Sequence, residues 1–370
     1  MIEAGPEELI FLPLGGAGEI GMNLNLYGHD GRWLMIDCGV SFADDSMAGV
    51  DILTPDPRFI VERRDRLDAI ILTHAHEDHY GAVAHLWPQL RAPIYCTPFT
   101  AALLRERLDE AGLARHAPIT VVRPGERFVV GPFDLEFVRL THSIPEPNAV
   151  AIRTGAGLAV HTGDWKIDDD PVLGEPIDEA RLRALGEEGV RALICDSTNA
   201  TKETEAGSEG SVAESLSELF GRYNKRIAVG CFASNVARVK TLADVARAHQ
   251  RRPVLVGRSL RRITGAARAV GWLDDDVEFV DDRIARNLPR NETLLICTGS
   301  QGEPRAALTR IAMDDHPHVA LEDGDVVVFS SRIIPGNEKP ISRLQDDLAR
   351  LGVEVITERD HFIHVSGHPG

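Results

Sequence analysis

Short apolar runs separated by turn residues fill the first half of the chain. Several of them alternate apolar with polar positions, as half-buried strands do, and His29-Asp30-Gly31 joins two of them as a hairpin. The segment 100–111 instead has the period of an amphipathic helix. The predicted strands lie at 9–12, 23–27, 33–36, 67–72, 93–96, 149–153 and 157–164, and the segment 128–138 is predicted to be a further hairpin. The first half is therefore expected to be built from strands with helices between them.

The pattern changes at about Gly207, where continuous apolar runs begin to alternate with helical segments. An apolar run without polar alternation is typical of a strand that is covered on both faces. The second half is therefore predicted to be an α/β unit with a parallel sheet, and 370 residues are enough for two domains. The predicted strands lie at 227–230, 253–256, 277–280, 293–296 and 326–329, and the helices at 211–223 and 235–249.

The composition is that of a globular protein, with 43% apolar and 26% charged residues. No apolar run reaches membrane-spanning length and the first residues lack the basic segment of a signal peptide, so we expect a cytoplasmic protein with no membrane partner. The five scattered cysteines contain no CxxC pair, which indicates reduced thiols. A net charge of −17 argues against nucleic-acid binding through bulk electrostatics, although a locally positive groove stays compatible with it.

The densest group of metal-competent side chains is the segment 73–79, Thr-His-Ala-His-Glu-Asp-His. It follows an apolar strand and precedes a helical pattern, so it occupies a strand-to-helix turn. On such a turn His74 and His76 can converge on one ion, while Asp78 and His79 face a second. Imidazoles with carboxylates favour zinc, with manganese as the alternative, over calcium.

Two later strands also end in metal-competent side chains, His142 and Asp164. Six ligands suffice for two divalent ions. Two ions roughly 3.5–4 Å apart would hold a hydroxide between them and clamp a phosphodiester for in-line attack. The predicted assignment is His74, His76 and His142 on one ion, Asp78 and His79 on the other, and Asp164 bridging.

Two features near the N-terminus have competing interpretations. Asp37, at the end of a strand, either orients a ligand histidine or caps a turn, and the sequence favours neither. The segment 16–21 matches GxGxxG, but a dinucleotide site needs a helix directly after the glycines and a hairpin pattern follows here. We reject the dinucleotide interpretation and expect the glycines to let a loop closely approach the metal site or a neighbouring backbone.

Separated motifs in the rest of the chain resemble one protein family. The segment 73–79, followed by His142 and Asp164, resembles the metallo-β-lactamase superfamily. The later segments are similar to motifs of its β-CASP group, which processes nucleic acids. In this order the motifs resemble the ribonuclease J family over essentially the whole chain. These later segments are 192–200 (ALICDSTNA), 231–238 (CFASNVAR), 297–304 (CTGSQGEP), 333–338 (IIPGNE) and 364–368 (HVSGH).

The resemblance implies an α/β fold, a metallo-β-lactamase αββα sandwich with an inserted β-CASP α/β domain. The implied domains are 1–206, 207–348 for the insertion, and 349–370 as the segment returning to the first domain. The family also has one further metal-binding histidine shortly after HVSGH and a C-terminal domain that supports dimerisation. We therefore expect a truncated member whose second metal site has one protein ligand fewer, and a homodimer or tetramer for the full-length protein.

The implied activity is that of a metal-dependent ribonuclease with 5′-to-3′ exonuclease and endonuclease modes. It would leave 5′-phosphate products, act in RNA maturation and decay, and prefer single-stranded, 5′-monophosphorylated RNA as its partner. Two rival hypotheses are a DNA-acting β-CASP nuclease and a non-catalytic RNA-binding paralogue.

The predicted catalytic residues are Asp78, His368 and Asp196. His368 is expected to act as the general acid, with Asp196 orienting it and raising its pKa. By resemblance, the segment 364–368 binds the scissile or a neighbouring phosphate. Its members are His364, Val365, Ser366, Gly367 and His368.

Two further strand exits are candidate phosphate sites. Ser300 and Gln301 lie in a glycine-rich turn directly after a strand, where backbone N–H groups could hold a phosphate. Ser234 and Asn235 precede a helix, for which a plain N-cap is the favoured interpretation. A cluster of arginines is either one wall of an RNA channel or a solvated helix face. It comprises Arg251, Arg252, Arg258, Arg261 and Arg262.

Overall fold

A computed structural model describes residues 3–43, 47–203 and 205–369. The chain forms two compact units. The first comprises Met1–Ile167, Pro176–Glu205 and Gly367–Gly370, and the second comprises Asp168–Glu175 and Ala206–Ser366. No helix in the described part of the chain combines the length and the apolar content that a bilayer crossing requires.

The first unit contains two large sheets, a two-stranded hairpin and five α-helices among its described residues. Its strands are β1 (Ile10–Gly15), β2 (Leu24–His29), β3 (Arg32–Ile36), β4 (Ser41–Phe42), β5 (Ile52–Leu53), β6 (Leu67–Ile71), β7 (Ile94–Cys96), β8 (Ile119–Val121), β9 (Arg127–Val130), β10 (Phe133–Arg139), β11 (Asn148–Thr154), β12 (Gly157–His161) and β13 (Val190–Ile194). Its helices are α1 (Arg58–Val61), α2 (Glu77–Tyr80), α3 (Val83–Leu90), α4 (Pro98–Glu110) and α5 (Glu179–Glu188).

The two large sheets of the first unit pack face to face. One has the strand order β1-β2-β3-β6-β7-β8 and the other β13-β12-β11-β10-β9. Side chains at every second position of facing strands, such as Leu34 with Ile36 and Leu135 with Phe137, form one buried cluster. Because successive strand residues point to opposite faces, the intervening residues of the second sheet, such as Val138 and Ala149, pack with helix α5 instead. Helix α4 packs beside β8 of the first sheet.

The second unit is a parallel sheet with helices on both faces. Its strand order is β16-β15-β17-β14-β18-β19, and every pair is parallel. The strands are β14 (Ile227–Gly230), β15 (Arg252–Val256), β16 (Val280–Asp281), β17 (Thr293–Cys297), β18 (Val326–Phe329) and β19 (Glu354–Ile356). The helices are α6 (Glu209–Gly221), α7 (Val236–Ala248), α8 (Arg258–Ala269), α9 (Ala307–Ala312) and α10 (Glu338–Arg350).

The continuous apolar runs of the second unit are explained by this double cover. Val326 and Val328 pack with α6 and α7 in one cluster, whereas Val327 and Phe329 pack with α9 and α10 in the other. Each strand therefore buries both of its faces, and polar alternation is absent. The predicted fold class, an αββα sandwich with a second α/β unit, is confirmed.

One predicted strand differs from the structure. The run 277–280 is extended only at its end, in β16 (Val280–Asp281). The preceding residues turn instead, because the amide of Val277 donates to the carbonyl of Asp274 and that of Glu278 to Asp276. Three consecutive aspartates ahead of the apolar run provide this turn chemistry.

The predicted domain boundaries at 206/207 and 348/349 remain a prediction. Near the first boundary, the chain passes from the first compact unit to the second between Glu205 and Ala206. At the other end, β19 (Glu354–Ile356) completes the sheet of the second unit, and the chain rejoins the first unit only at Gly367. Residues 349–366, expected in the returning segment, therefore lie in the second unit.

A buried ion pair fastens several elements of the second unit together. The guanidinium of Arg238, on α7, donates to both carboxylate oxygens of Glu209, on α6, at 2.9–3.1 Å. It also donates to the hydroxyl of Ser330 after β18 and to the carbonyl of Ile363. Arg238 is fully buried and Glu209 is 4% exposed. The pair thereby anchors the segment that carries HVSGH.

We expect Arg238→Met to destabilise the second unit by about 3–5 kcal/mol, because the substitution leaves the Glu209 carboxylate buried without its partner. Urea unfolding measures this loss. The matched control is Arg222→Met, which breaks the exposed pair with Glu218 and should cost no more than about 0.5 kcal/mol. Equal losses in the two variants would contradict the anchoring role of Arg238.

Candidate metal centre

The candidate ligands follow the carboxyl ends of strands in both sheets of the first unit. The segment 73–79 follows β6, His142 follows β10, and Asp164 follows β12. Asp37 follows β3 and Asp196 follows β13. Because the two sheets pack face to face, these exits meet at one edge of the sandwich.

Three imidazole nitrogens of the first group point at one another. Nε2 of His74 and Nε2 of His142 each lie 3.1 Å from Nδ1 of His76. Asp164 completes the group, whose ligand atoms all lie within 4.8 Å of one another. Nitrogens bound at about 2.0–2.1 Å to a tetrahedral zinc lie about 3.3 Å apart, so this spacing and this donor set fit a zinc-like ion.

The second group comprises Asp78, His79 and Asp164. Nε2 of His79 lies 3.3 Å from Oδ2 of Asp164 and 3.6 Å from Oδ2 of Asp78. Asp164 belongs to both groups, which is the arrangement that a bridging carboxylate requires. The structure therefore brings together all six predicted ligands, in the predicted two sets; their roles stay a prediction.

The electrostatics of the first group favour metal binding. Burial lowers the pKa of His74 and of His76 well below the usual histidine value, and lowers the pKa of His142 to about 4. All three rings are therefore neutral at pH 7 and present a lone pair. Because a metal competes with protons for imidazole, a depressed pKa removes that competition.

The second group has the opposite balance of charge. Burial by itself lowers the pKa of His79, but the carboxylates of Asp164, Asp78 and Asp37 outweigh it and raise that pKa well above normal. Burial raises the pKa of Asp78. For Asp164, burial opposes ionisation, yet the neighbouring histidines hold its pKa well below the usual value. These carboxylates thus form an anionic pocket suited to a cation.

Asp37 lies beneath the centre and is completely buried. Its Oδ2 accepts a hydrogen bond from Nδ1 of His79 at 2.7 Å, which directs Nε2 of that ring toward Asp78 and Asp164. Its Oδ1 accepts from the amide of Thr73 at 2.8 Å. The carboxylate of Asp37 therefore makes both of the contacts that the competing interpretations expect, one to the ring of a candidate ligand and one to a turn, and its role stays a prediction.

The ligand turn is held by backbone pairing with the segment after β3. The amide of Cys38 donates to the carbonyl of His79 at 2.7 Å, and the amide of Val40 to that of Glu77 at 3.0 Å. A Cβ on Gly39 would lie 1.6 Å from the carbonyl oxygen of Asp78, so only glycine permits this approach. The glycine loop 16–21 leads into the same contact, since the amide of Asn23 donates to the carbonyl of Asp78.

His368 and Asp196 form the predicted pair. Nδ1 of His368 donates to Oδ2 of Asp196 at 2.7 Å and lies 4.0 Å from Oδ2 of Asp164. Burial lowers the pKa of His368, but the hydrogen bond to Asp196 and the charges of the carboxylates outweigh it and raise that pKa above normal. The His368 side chain is 26% exposed, so its ring remains accessible.

Several contacts at the centre have no signal in the sequence. The carbonyl of Gly367 accepts from Nδ1 of His142 at 2.5 Å, and Nε2 of that ring faces His76. Glu77 lies inside the metal motif but turns away to a bidentate pair with Arg107 of α4, at 2.7 Å for both bonds. Asn23 donates its side-chain amide to the carbonyl of Asp78. None of these partners lies at a characteristic sequence spacing.

Several polar side chains of the candidate phosphate sites in the second unit form hydrogen bonds within the protein. Asn235 caps α7 by accepting from the amide of Arg238 and also donates to Glu209, as the favoured N-cap interpretation expects. Gln301 bonds the loop after β18, donating to the carbonyl of Arg332 and accepting from the amide of Ile334. Ser300 is 2% exposed. These contacts support structural roles for Asn235 and Gln301.

The other predicted residues of that unit are placed as follows. Ser234 lies directly before Asn235 and is partly buried. His364 and Ser366 are partly buried, and Val365 packs in the apolar cluster that contains α6 and α7. Unlike these residues, Gly367 and His368 belong to the first unit.

The predicted arginine cluster does not form one surface. Arg251 is buried and donates to the carbonyls of Tyr223 and Lys225. Arg261 pairs with Asp282. Arg252 and Arg258 are exposed but stand at opposite ends of β15, so the five residues cannot act as a single wall.

Comparisons with known proteins identify the domains of the chain. The profile described as "Ribonuclease J, beta-CASP domain" matches residues 224–348, and that of the "Beta-lactamase superfamily domain" matches residues 32–185. The fold is similar to a crystal structure of a protein of unknown function from Enterococcus faecalis, with a TM-score of 0.62 at 14% identity, covering 98% of this chain and 89% of that one.

Curated relatives extend the likeness along the chain. Ribonuclease J of Sinorhizobium meliloti is 49% identical over 371 residues, which cover 99% of this chain and 66% of that protein. Ribonuclease J of a Synechocystis species is 41% identical over 365 residues, covering 98% of this chain and 57% of that protein. The chain thus spans less than two thirds of the length of either relative. With both profiles matched and this identity along nearly its whole length, the chain belongs to the ribonuclease J family, the β-CASP metallo-β-lactamase proteins, as its motifs predict.

Proposed function

We propose that the protein is a metal-dependent ribonuclease that hydrolyses phosphodiester bonds of RNA. The observation that carries the proposal is the convergence of six candidate ligand side chains beside an Asp196–His368 pair. Strand exits from two sheets supply these side chains, and burial keeps three of the rings neutral and ready to bind a cation. The curated relatives, which are named ribonuclease J, support RNA as the substrate.

Two divalent ions are the cofactors that the residues fit. His74, His76, His142 and Asp164 would hold one, and Asp78, His79 and Asp164 the other. Zinc is the proposed metal because imidazoles dominate the first set, with manganese as the alternative. When bound, such ions supply Lewis-acid stabilisation of the phosphate and a nucleophile at neutral pH.

The residues of the chain then supply the proton of the reaction. Because Nδ1 of His368 donates to Asp196, we assign its Nε2 as the atom that donates to the departing 3′ oxygen. The raised pKa of His368 favours the protonated ring, which a general acid requires. Protonating the 3′ oxygen leaves a 3′-hydroxyl on one product and a 5′-phosphate on the other.

We propose that the full-length protein combines 5′-to-3′ exonuclease and endonuclease activity in RNA maturation and decay in the cytoplasm. The exonuclease mode requires recognition of a 5′-monophosphate. Our candidate residues are Ser234, Ser300, His364 and Ser366 in the second unit and His368 in the first. The proposed partner is single-stranded RNA, and the proposed assembly of the full-length protein is a homodimer or tetramer.

Cleavage of a labelled single-stranded RNA tests the proposal. We expect a 5′-monophosphorylated RNA to be degraded faster than the same RNA with a 5′-hydroxyl, and a chelator to stop both reactions until zinc or manganese is restored. Asp78→Ala should lower the rate by at least about 100-fold, since it removes a ligand of the second group. Mapping of product ends should give 5′-phosphates.

Asp109→Ala is the matched control, because that carboxylate is exposed on α4 of the same unit. RNA cleavage that persists undiminished in Asp78→Ala would refute the proposed two-metal site. Cleavage of single-stranded DNA in place of RNA would favour the rival DNA-acting nuclease. Binding of RNA without cleavage, at full metal occupancy, would favour the non-catalytic paralogue.

A second test uses the pH dependence of the cleavage rate. Asp196 raises the pKa of His368, so the ring stays protonated to higher pH. In Asp196→Asn this support is lost, the pKa of His368 falls, and the alkaline limb of the rate profile should move to lower pH. Single-turnover rates between pH 5 and pH 9 measure this shift; an unmoved alkaline limb in the variant would rule out His368 as the acid.

A further inference from the structure

Thr73 lies between Asp37 and the first ligand histidine. Its hydroxyl Oγ1 is 2.9 Å from Oδ2 and 3.1 Å from Oδ1 of Asp37, and 3.0 Å from Nδ1 of His74. All three residues are completely buried, so water does not compete for these contacts. The hydroxyl is therefore placed to connect the carboxylate with the ring.

The direction of these hydrogen bonds follows from the number of protons. A carboxylate only accepts, and a hydroxyl has one proton to donate. The Thr73 proton therefore goes to Asp37, and Oγ1 accepts from Nδ1–H of His74. With its proton on Nδ1, the neutral His74 ring has its lone pair on Nε2, the atom that faces His76 and Asp164.

The same carboxylate acts on the second group without an intermediary, since Nδ1 of His79 donates to Oδ2 of Asp37. Asp37 thus determines which ring nitrogen faces the metal site in one histidine of each group. It acts on His79 directly and on His74 through the hydroxyl of Thr73. His142 obtains the equivalent restraint from the carbonyl of Gly367.

The position of Thr73 is restrained from the other sheet as well. Gly163, directly before Asp164, has φ +59°, and a Cβ there would lie 3.0 Å from both Cβ and Oγ1 of Thr73. The strand exit that delivers Asp164 therefore packs against the threonine side chain. This packing holds the hydroxyl in the orientation in which it contacts both Asp37 and His74.

We propose that Thr73 is a positioning residue that relays Asp37 to His74 and so sets the metal affinity of the first group, leaving the second group to the direct Asp37–His79 bond. The inference rests on the proposed metal sites and goes beyond them in assigning a role to a residue that is neither a predicted metal ligand nor a predicted substrate contact. It predicts that loss of the Thr73 hydroxyl weakens metal binding by the first group and not by the second. A general loss of packing would not produce this difference.

Metal binding by the purified protein tests the proposal, with zinc titrated against a chelating indicator. His142→Ala and Asp78→Ala identify the binding steps of the first and second groups. We expect Thr73→Val, which keeps the shape of the side chain but removes its hydroxyl, to weaken the first step by about 10–100-fold and to leave the second unchanged. Thr73→Ser should restore the first step, and Asp37→Asn should weaken both.

Thr100→Val is the matched control. Thr100 is also completely buried in the first unit, and its hydroxyl bonds that of Thr97 at 3.1 Å, away from the centre. This variant should bind both ions as the wild type does. A Thr73→Val protein that binds both ions with unchanged affinity would overturn the proposal, as would equal weakening of both steps.

The wild-type protein supplies a second, independent measurement. Nitrogen-15 NMR of the histidine rings in metal-free protein, with His74 assigned by a His74→Gln variant, should show the His74 proton on Nδ1. A His74 proton on Nε2 would overturn the relay even if Thr73→Val failed to fold. Neither measurement involves RNA, so the inference can fail while ribonuclease activity stands, and it can hold if that activity is absent.

Discussion

The backbone pairing between the segment after β3 and the ligand turn is the constraint on which the centre depends. Helix α2 has only four residues and cannot hold its own orientation. Its position is fixed from outside, by the amides of Cys38 and Val40 on one side and by the Glu77–Arg107 pair on the other. Because Gly39 allows contact at this distance, the buried carboxylate of Asp37 reaches the rings that it orients.

Burial of so many ionisable groups at one site would be unfavourable without charges of opposite sign to compensate them. A buried ion needs a partner of opposite sign, and unpaired groups respond by shifting their pKa values. The shifts here run in opposite directions within one site: those of the neutral rings fall, whereas those of His79 and Asp78 rise. A divalent cation binds both the neutral rings and the carboxylates, so this donor set is suited to metal rather than to a structural role alone.

The sequence was informative where a local pattern carries the chemistry. The metal motif, the strand-end His142 and Asp164, and the change from alternating to continuous apolar runs are all visible in short windows, and the αββα fold class is implied by the family resemblance that the motifs carry. The contacts that orient the rings are different in kind, because they join distant positions. Thr73 meets Asp37 across 36 residues, and His142 meets Gly367 across 225, with no spacing that marks either pair.

Sharing of carboxylates makes the two metal groups one structural unit. Asp164 belongs to both groups on the side where the proposed ions would bind, and Asp37 supports a ring of each on the buried side. A change at either carboxylate therefore acts on both groups, whereas a change at Thr73 or at the Gly367 carbonyl acts on one ring. The two groups are assembled where the two sheets pack against each other, since each group takes its ligands from strand exits of both sheets. Because a single sheet presents only one row of exits, neither sheet by itself could assemble either group.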